Sequence, residues 1–352
     1  MLSNHFKMNL FFHGTKARLI FSCLMGFTAT AFSQRVIDIK HEADSRGGTV
    51  FSCINYAYCN YILDLGFTTF KNLQCDQPLP FHGEVKPGYT KLFTISAIDP
   101  QLSTQFNYSS KNQKGCMHPV VNSGFTYLLP ISPGKDAQSY EMSPDKLPDT
   151  TARSVAKTNP DRSRDSISWY VLRLKMKAGD TIYAARKGVV TELQDQNGAN
   201  DAGQLSVSTE NFIEIVQADC SFGRYGILKK NSAMVKPGQA VKAGQPIGLV
   251  GGDPFGRGSD LRFSVYYYQE EYDPGQAGGR HYIIPQIWTK NNGKGRLKHG
   301  VVYISEFPAA VLNQELPKKV KSKTPLPSSV IRHRSSVIRH PSTVIHYFTS
   351  LS

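Results

Sequence analysis

Residues 176–190 read MKAGDTIYAARKGVV, and residues 241–251 read VKAGQPIGLVG. In both strings a glycine follows a lysine closely and precedes β-branched and aliphatic residues, which is typical of a tight turn that leads into a strand. Residues 235–240, VKPGQA, repeat the start of the second string directly before it. Two such turns in succession favour short strands that reverse direction within one compact sheet.

Further strand-like runs surround these turns and define a β-rich unit over residues 166–270. They are rich in valine, isoleucine and aromatic residues, the composition that favours strands. They lie at residues 181–184, 188–193, 212–216 and 261–266, and residues 282–284 and 300–303 are expected to add edge strands.

The N-terminal half contains a second set of short β-rich runs, and no stretch there has a helical period of useful length. Glycine, proline, asparagine and aspartate separate the runs, as they do in β-sandwiches. The sequence therefore predicts an all-β protein, with an N-terminal β-sandwich-like domain followed by an antiparallel β-sheet domain. The runs lie at residues 50–54, 61–65, 91–95 and 124–128.

Composition shifts give the expected domain boundaries. Residues 1–33 are predicted to be a signal peptide and residues 34–135 the sandwich-like domain. Residues 136–165 are polar and rich in serine and proline, which favours a linker. Residues 166–305 are assigned to the sheet domain with its C-terminal edge strands, and residues 306–352 to a basic, low-complexity tail.

The charge of the chain is concentrated at its two ends. The formal net charge is +14, of which residues 1–33 contribute three basic groups and residues 317–352 seven, with no acidic group in either segment. The body therefore has no concentrated footprint for nucleic acid, and only nonspecific binding through the tail is expected. The apolar run at 19–27, preceded by Lys16 and Arg18, is typical of a secretory signal, so the mature chain is expected to be secreted or periplasmic without a transmembrane segment.

Export would place the cysteines in an oxidising compartment. Four of those left after signal removal lie in the first half, and three pairings among them are possible. We favour Cys53–Cys59 and Cys75–Cys116, which would leave Cys220 unpaired, and buried free thiols are the alternative.

The β-rich unit resembles the lysostaphin/LytM-type zinc endopeptidases of bacterial cell-wall turnover. The resemblance rests on four stretches in the family's order and spacing, at residues 176–190, 222–228, 241–251 and 258–263. It covers about 100 residues, under a third of the chain. It implies the family's antiparallel β-sheet fold and a zinc site with three protein ligands and an open position for the attacking water.

None of the family's five functional positions keeps its residue in this chain. The first histidine ligand falls at Trp169 and the aspartate ligand at Arg173. The histidine of the Tyr-x-His-Leu stretch falls at Ile227, and the two histidines of the His-x-His stretch fall at Asp260 and Arg262. A guanidinium has no lone pair to give a metal and stays positively charged, so no zinc or other cofactor is expected. We expect Asp260 to pair with Arg262 or Arg173 instead.

These replacements favour a non-catalytic binding module of the cell envelope. Its partner would be a peptidoglycan peptide or an envelope protein, and Trp169 and Tyr225 are candidates for lining the groove, although packing is the commoner role of each. The main alternative is an active metalloendopeptidase of peptidoglycan with an atypical site. A carrier domain of the biotinyl/lipoyl class is disfavoured because Val190 and Val235 are too far apart in the chain for its two turns.

Overall fold

The computed structural model describes residues 36–143, 169–198, 210–252, 259–268 and 279–315. The expected signal peptide, most of the expected linker and the basic tail beyond residue 315 lie outside the described residues. Within the described part of the chain, no helix has the length and apolar character that crossing a membrane would need.

The first unit is a sandwich of two antiparallel sheets, as the short β-rich runs and the turn residues between them predict. One sheet has the order β1-β2-β6-β4 and the other the order β5-β3-β7. Inward-facing side chains of both sheets form one core, in which the ring of Phe51 stacks on that of Phe93 with their centroids 4.9 Å apart. The strands are β1 (Ile37–Ala43), β2 (Thr49–Asn55), β3 (Tyr61–Lys71), β4 (Leu73–Cys75), β5 (Phe81–Val85), β6 (Gly88–Ala97) and β7 (Gln105–Lys114).

The second unit is also almost entirely β, so the all-β prediction is confirmed. Its described residues form fourteen strands and one short helix. The strands are β8 (Thr126–Leu128), β9 (Asp136–Met142), β10 (Val171–Lys175), β11 (Thr181–Tyr183), β12 (Gly188–Gln194), β13 (Phe212–Val216), β14 (Phe222–Gly226), β15 (Ala240–Val241), β16 (Pro246–Leu249), β17 (Asp260–Tyr268), β18 (Arg280–Ile283), β19 (Gln286–Thr289), β20 (Gly293–Gly295) and β21 (Val302–Ile304), and the helix is α1 (Ala309–Leu312).

Nine of these strands form one large sheet, here called the main sheet. Its order is β15-β12-β13-β14-β17-β10-β9-β21, and β18 pairs with the far end of β17. The pairs within it are antiparallel, and β11 with β16 forms a separate two-stranded sheet. Strands β19, β20 and β8 form a further small sheet, in which β8 runs parallel to β19.

The two faces of the main sheet differ because side chains alternate along each strand. On the inner face, Leu172, Tyr225, Phe263 and their neighbours belong to a large apolar core. The residues between them point to the opposite face, here called the outer face.

Two of the expected boundaries are wrong. Strand β9 occupies residues 136–142, which were assigned to the linker, and lies within the main sheet between β10 and β21. Strand β8 was assigned to the sandwich but pairs with β19, and Tyr127 belongs to the core of the second unit. The strands of the sandwich therefore end at Lys114, and the second unit begins before residue 126.

The sandwich packs against one end of the outer face. There Cys59 of the sandwich contacts Phe222 and Tyr266 of the main sheet in a small apolar cluster. A disulfide between Cys116, two residues after β7, and Cys220, in the turn between β13 and β14, joins the two units.

This disulfide corrects the expected pairing. Cys53, Cys59 and Cys75 are free thiols, so neither Cys53–Cys59 nor Cys75–Cys116 forms, and Cys220 is not the unpaired residue. Cys53 is buried within the sandwich core, where β-strand packing rather than a disulfide holds it.

Candidate functional site

The candidate site lies at the end of the outer face that is opposite the disulfide. The register of the main sheet places four residues in one row across adjoining strands: Arg173, Arg262, Gly226 and Phe212. Trp169 lies two residues before β10 and is half-buried. Two positions that the resemblance assigns to metal ligands, Arg173 and Arg262, thus face each other across one strand pair.

Arg173 forms an ion pair with Asp260. Its Nε donates a hydrogen bond to Asp260 Oδ2, which is one of the two pairings expected from the sequence. The guanidinium also lies over the ring of Tyr140 on β9, 5.8 Å from the centroid. The charge of Arg173 is therefore held by a carboxylate on one side and an aromatic face on the other.

Arg262 faces a carboxylate that the sequence did not single out. Nη1 of Arg262 lies 3.7 Å from Oε2 of Glu210, and only 12% of the Glu210 side chain is exposed. The other carboxylate oxygen rests directly on Gly226, since a Cβ built there would come within 1.8 Å of Oε1. The lack of a side chain at Gly226 is what allows Glu210 to occupy the row.

The backbone N–H of Ile227 favours the charged form of the same carboxylate and acts to lower its pKa. The carbonyl of Ile227 accepts a hydrogen bond from the N–H of Gly251 at 2.8 Å. The backbone of Ile227 is left-handed, with φ of 64°, which is rare for a β-branched residue. The position where the family has a histidine therefore contributes its backbone to the site, while the isoleucine residue is buried.

Arg224 brings a third guanidinium to this part of the sheet. It stacks on the ring of Phe212, with Cζ 3.4 Å from the centroid. Burial raises the pKa of Glu210 above its ordinary value, although the nearby charges of Arg262 and Arg224 act to lower it. The attraction of the two arginines thus offsets only part of the hydration free energy that the carboxylate loses on burial.

Tyr225 does not line a groove. Its side chain is completely buried on the inner face, packs against Phe263 and accepts a hydrogen bond at its hydroxyl from the N–H of Ala185, 2.8 Å away. The expectation that it contacts a ligand is wrong because the alternation of β14 directs residue 225 to the core and residues 224 and 226 to the outer face.

A buried ion pair separates the site from the end covered by the sandwich. Lys114 Nζ donates to Glu214 Oε1, and the hydroxyl of Tyr266 donates to Oε2. Thr191 Oγ1 donates to Oε1 at 2.8 Å. Burial alone would raise the pKa of Glu214, but the ammonium of Lys114 and these hydrogen bonds lower it below its ordinary value.

The donor chemistry of the site does not fit zinc. Zinc ligands are imidazole nitrogens, thiolates and carboxylates, and arginine cannot serve. The two carboxylates that the structure describes at this site, Asp260 and Glu210, each face an arginine. Across the described ranges, no group of three or more histidine, cysteine, aspartate and glutamate side chains is arranged to hold a metal ion.

Comparisons with known proteins show which family the region around this site is similar to. Residues 168–274 match the model of peptidase family M23. The comparison with curated proteins finds no match to the chain.

Three solved structures illustrate the structural similarity. The catalytic domain of lysostaphin from Staphylococcus simulans is 20% identical, with 31% of this chain and 72% of that domain aligned at a TM-score of 0.23. A catalytic-domain mutant of the prophage-encoded M23 protein EnpA from Enterococcus faecalis is 20% identical. The alignment covers 47% of this chain and 92% of that chain at a TM-score of 0.23. Csd3 from Helicobacter pylori is 14% identical. The alignment covers 74% of this chain and 77% of that chain at a TM-score of 0.27.

These TM-scores are too low to support any argument of their own, so the relationship rests on the family model and the motif order. Residues 168–274 of this chain are therefore similar to peptidase family M23.

Proposed function

We propose that this protein is a non-catalytic binding module of the bacterial cell envelope, built on a peptidase fold that has lost its zinc site. The observation that supports the proposal is the pairing of Arg173 with Asp260 and of Arg262 with Glu210, at the positions where the family holds zinc. A dication brought to this site would meet two permanent positive charges, and the carboxylates of Asp260 and Glu210 already face those arginines.

An extracytoplasmic location is part of the same proposal. The disulfide between Cys116 and Cys220 favours an oxidising compartment, and the N-terminal sequence is typical of a secretory signal. The ligand class follows from the family, whose members act on peptidoglycan, so a peptide of the cell wall or an envelope protein is the proposed partner.

The proposal is tested with purified peptidoglycan, by co-sedimentation and by release of soluble fragments in the presence of added zinc. We expect saturable co-sedimentation without fragment release. A variant that restores the three family ligands, Trp169→His with Arg173→Asp and Arg262→His, is the matched control for zinc uptake. Fragment release by the wild-type chain that stops on chelation would overturn the proposal and favour the atypical metalloendopeptidase.

A further inference from the structure

Residues 306–315, the last that the structure describes, cross the second unit and are here called the strap. At the start of the strap, Trp288 Nε1 donates a hydrogen bond to Glu306 Oε2 at 3.0 Å. The ring of Phe307 packs edge-on against that of Tyr183, with their centroids 5.5 Å apart. One hydrogen bond and aromatic packing therefore hold the first part of the strap.

The end of the strap is held by the buried side chain of Arg186. Nε and Nη2 of Arg186 donate to Glu315 Oε1 at 3.0 and 2.7 Å, and Lys187 Nζ donates to the carbonyl oxygen of Glu315 at 2.7 Å. The Arg186 side chain is 4% exposed, and its guanidinium lies on the ring of Phe125, with Cζ 3.7 Å from the centroid. Glu315 thus accepts two charge-assisted hydrogen bonds from a donor that has little contact with water.

The third nitrogen of the same guanidinium reaches the turn that carries Cys220. Nη1 of Arg186 donates to Gln217 Oε1 at 3.2 Å and to Asp219 Oδ2 at 2.8 Å. Within the turn, the N–H of Cys220 donates to the carbonyl of Gln217 at 3.0 Å. The hydroxyl of Ser221 donates to Asp219 Oδ1 at 2.6 Å. Arg186 therefore bridges the strap and the turn between β13 and β14.

We propose that Glu315 and Arg186 form a latch, which couples the position of the strap to the redox state of the disulfide between Cys116 and Cys220. While the strap is seated, Arg186 holds the turn where Cys220 meets Cys116. Reduction removes the covalent anchor of the turn and so loosens the strap. Because coupling between two sites is reciprocal, release of the strap makes the disulfide easier to reduce.

The latch transmits because the buried guanidinium needs its acceptors. Among the described residues, Nε and Nη2 of Arg186 donate to Glu315 alone. A buried charge that loses its partner is costly, so without Glu315 the guanidinium would turn toward water and weaken its hydrogen bonds to Gln217 and Asp219. The turn would then hold Cys220 less firmly against its partner cysteine.

The reducing step requires a dithiol. Cys220 is half-buried and Cys116 is buried, so Cys220 Sγ is the sulfur that a thiolate of the dithiol attacks. The disulfide breaks, Cys116 leaves as a thiolate, and Asn60 Nδ2, 3.6 Å from its sulfur, donates to it. The second thiol of the dithiol then displaces Cys220 from the mixed disulfide. Both cysteines end as thiols with the two protons of the dithiol, which becomes a disulfide.

The equilibrium constant for reduction of the full chain by dithiothreitol tests the latch. The chain is equilibrated at a series of ratios of reduced to oxidised dithiothreitol and quenched with acid. Mass spectrometry then gives the fraction of chains with the linked peptide of Cys116 and Cys220. We expect Glu315→Gln to raise the equilibrium constant about tenfold, because a neutral amide holds the guanidinium less firmly.

Glu306→Gln is the matched control, since Glu306 belongs to the same strap but bonds to Trp288 rather than to Arg186. It should leave the equilibrium constant unchanged. A substitution that only lowered the stability of the fold would affect the oxidised and reduced forms alike and would leave the constant unchanged as well.

Hydrogen exchange of the wild-type chain measures the coupling without a substitution. The backbone amides of residues 311–315 should exchange about fivefold faster in the reduced form than in the oxidised form. The same equilibrium constant for Glu315→Gln and wild type would overturn the inference. Equal exchange rates of these amides in the two forms would also overturn it, and this measurement decides if the variant fails to fold.

Discussion

The proposed loss of the metal site depends on single residues, and the first of them are the paired side chains of Arg173 and Asp260. Neither side chain is fully exposed, so their attraction is screened less than that of a surface pair. Taking either charge away leaves the other facing a poorly hydrated site, which costs more than the pair itself contributes.

A double-mutant cycle on this pair measures the interaction. We expect Arg173→Gln and Asp260→Asn each to lower the free energy of unfolding, and the double variant to lose less than the sum, with a coupling of about 1 kcal/mol. Urea unfolding at low salt gives the values. Strict additivity would show that the two side chains do not interact in solution.

The lowered pKa of Glu214 predicts that the stability of the folded protein depends on pH. Because the pKa of Glu214 is lower in the folded protein than its ordinary value of 4.5, its contribution is present above that pH and is lost as the pH falls through the folded value. Glu214→Gln is therefore expected to cost about 2 kcal/mol at neutral pH, since it leaves a hydrogen-bonding amide and Lys114 still has Glu192 3.1 Å away.

The same comparison repeated down to pH 3 tests the sign. The difference in unfolding free energy between wild type and Glu214→Gln should shrink steadily below about pH 4.5. A difference that is constant or grows as the pH falls would contradict a carboxylate stabilised in its charged form.

At the residue scale, some features of the candidate site could be predicted from the sequence and others could not. The resemblance implies that the family's ligands are replaced in this chain, and one of the two expected ion pairs forms. Glu210 could not be found in the same way, because a glutamate before a strand has no distinctive pattern. Its role depends on Gly226, sixteen residues further along the chain, whose missing side chain leaves room for it.

At the scale of elements, strand β14 positions the site through one glycine. Gly226 has no left-handed backbone requirement, so alanine is excluded there by contact with Glu210 rather than by backbone strain. The side chain of residue 226 thus controls whether the carboxylate can occupy the row.

Gly226→Ala should lower the free energy of unfolding by about 2 kcal/mol, since the new methyl group forces Glu210 away from Arg262. In a Glu210→Ala background the same substitution should cost much less. Gly252→Ala, where a Cβ meets nothing within 4 Å, is the matched control. A cost for Gly226→Ala that does not depend on residue 210 would contradict the described placement of the carboxylate.

Several strands rich in β-branched, aliphatic and aromatic residues could be predicted, whereas β9 was assigned to the linker. Strand β9 points Ala137 and Ser139 inward, and the hydroxyl of Ser139 donates to the carbonyl of Lys298 at 2.6 Å. Small and polar inward residues produce no hydrophobic period, so the segment resembled a linker. Its place in the sheet is fixed by backbone pairing with β10 and β21.

At the scale of the whole molecule, the sandwich and the main sheet form joined units. The joint combines the disulfide, the apolar cluster around Phe222 and the buried pair of Lys114 with Glu214. The disulfide pairing could not be derived from the sequence, since the two cysteines are 104 residues apart and meet only when both units are folded.

Thiol mapping tests this joint. Non-reducing peptide maps should contain a linked peptide with Cys116 and Cys220. Burial raises the pKa of Cys53 to about 11 and of Cys59 to about 12, so both should resist alkylation until the chain unfolds, whereas the half-exposed Cys75 should react in the native state. A peptide linking Cys53 to Cys59 would contradict the arrangement.

Replacing both bridged cysteines by serine should reduce stability by up to about 4 kcal/mol, because the disulfide closes a long loop in the unfolded chain. Urea unfolding of the double variant against wild type measures the loss. No loss would show that the other contacts of the joint suffice.

The most direct test of the central claim is the zinc content of the full chain after equilibration with excess zinc and gel filtration. His333→Ala, His340→Ala and His346→Ala together remove tail histidines that could hold zinc on their own. The account predicts far less than one zinc per chain in this background. Retention of about one zinc per chain, lost on Asp260→Ala or Glu210→Ala, would contradict it, because it would show the paired carboxylates acting as metal ligands.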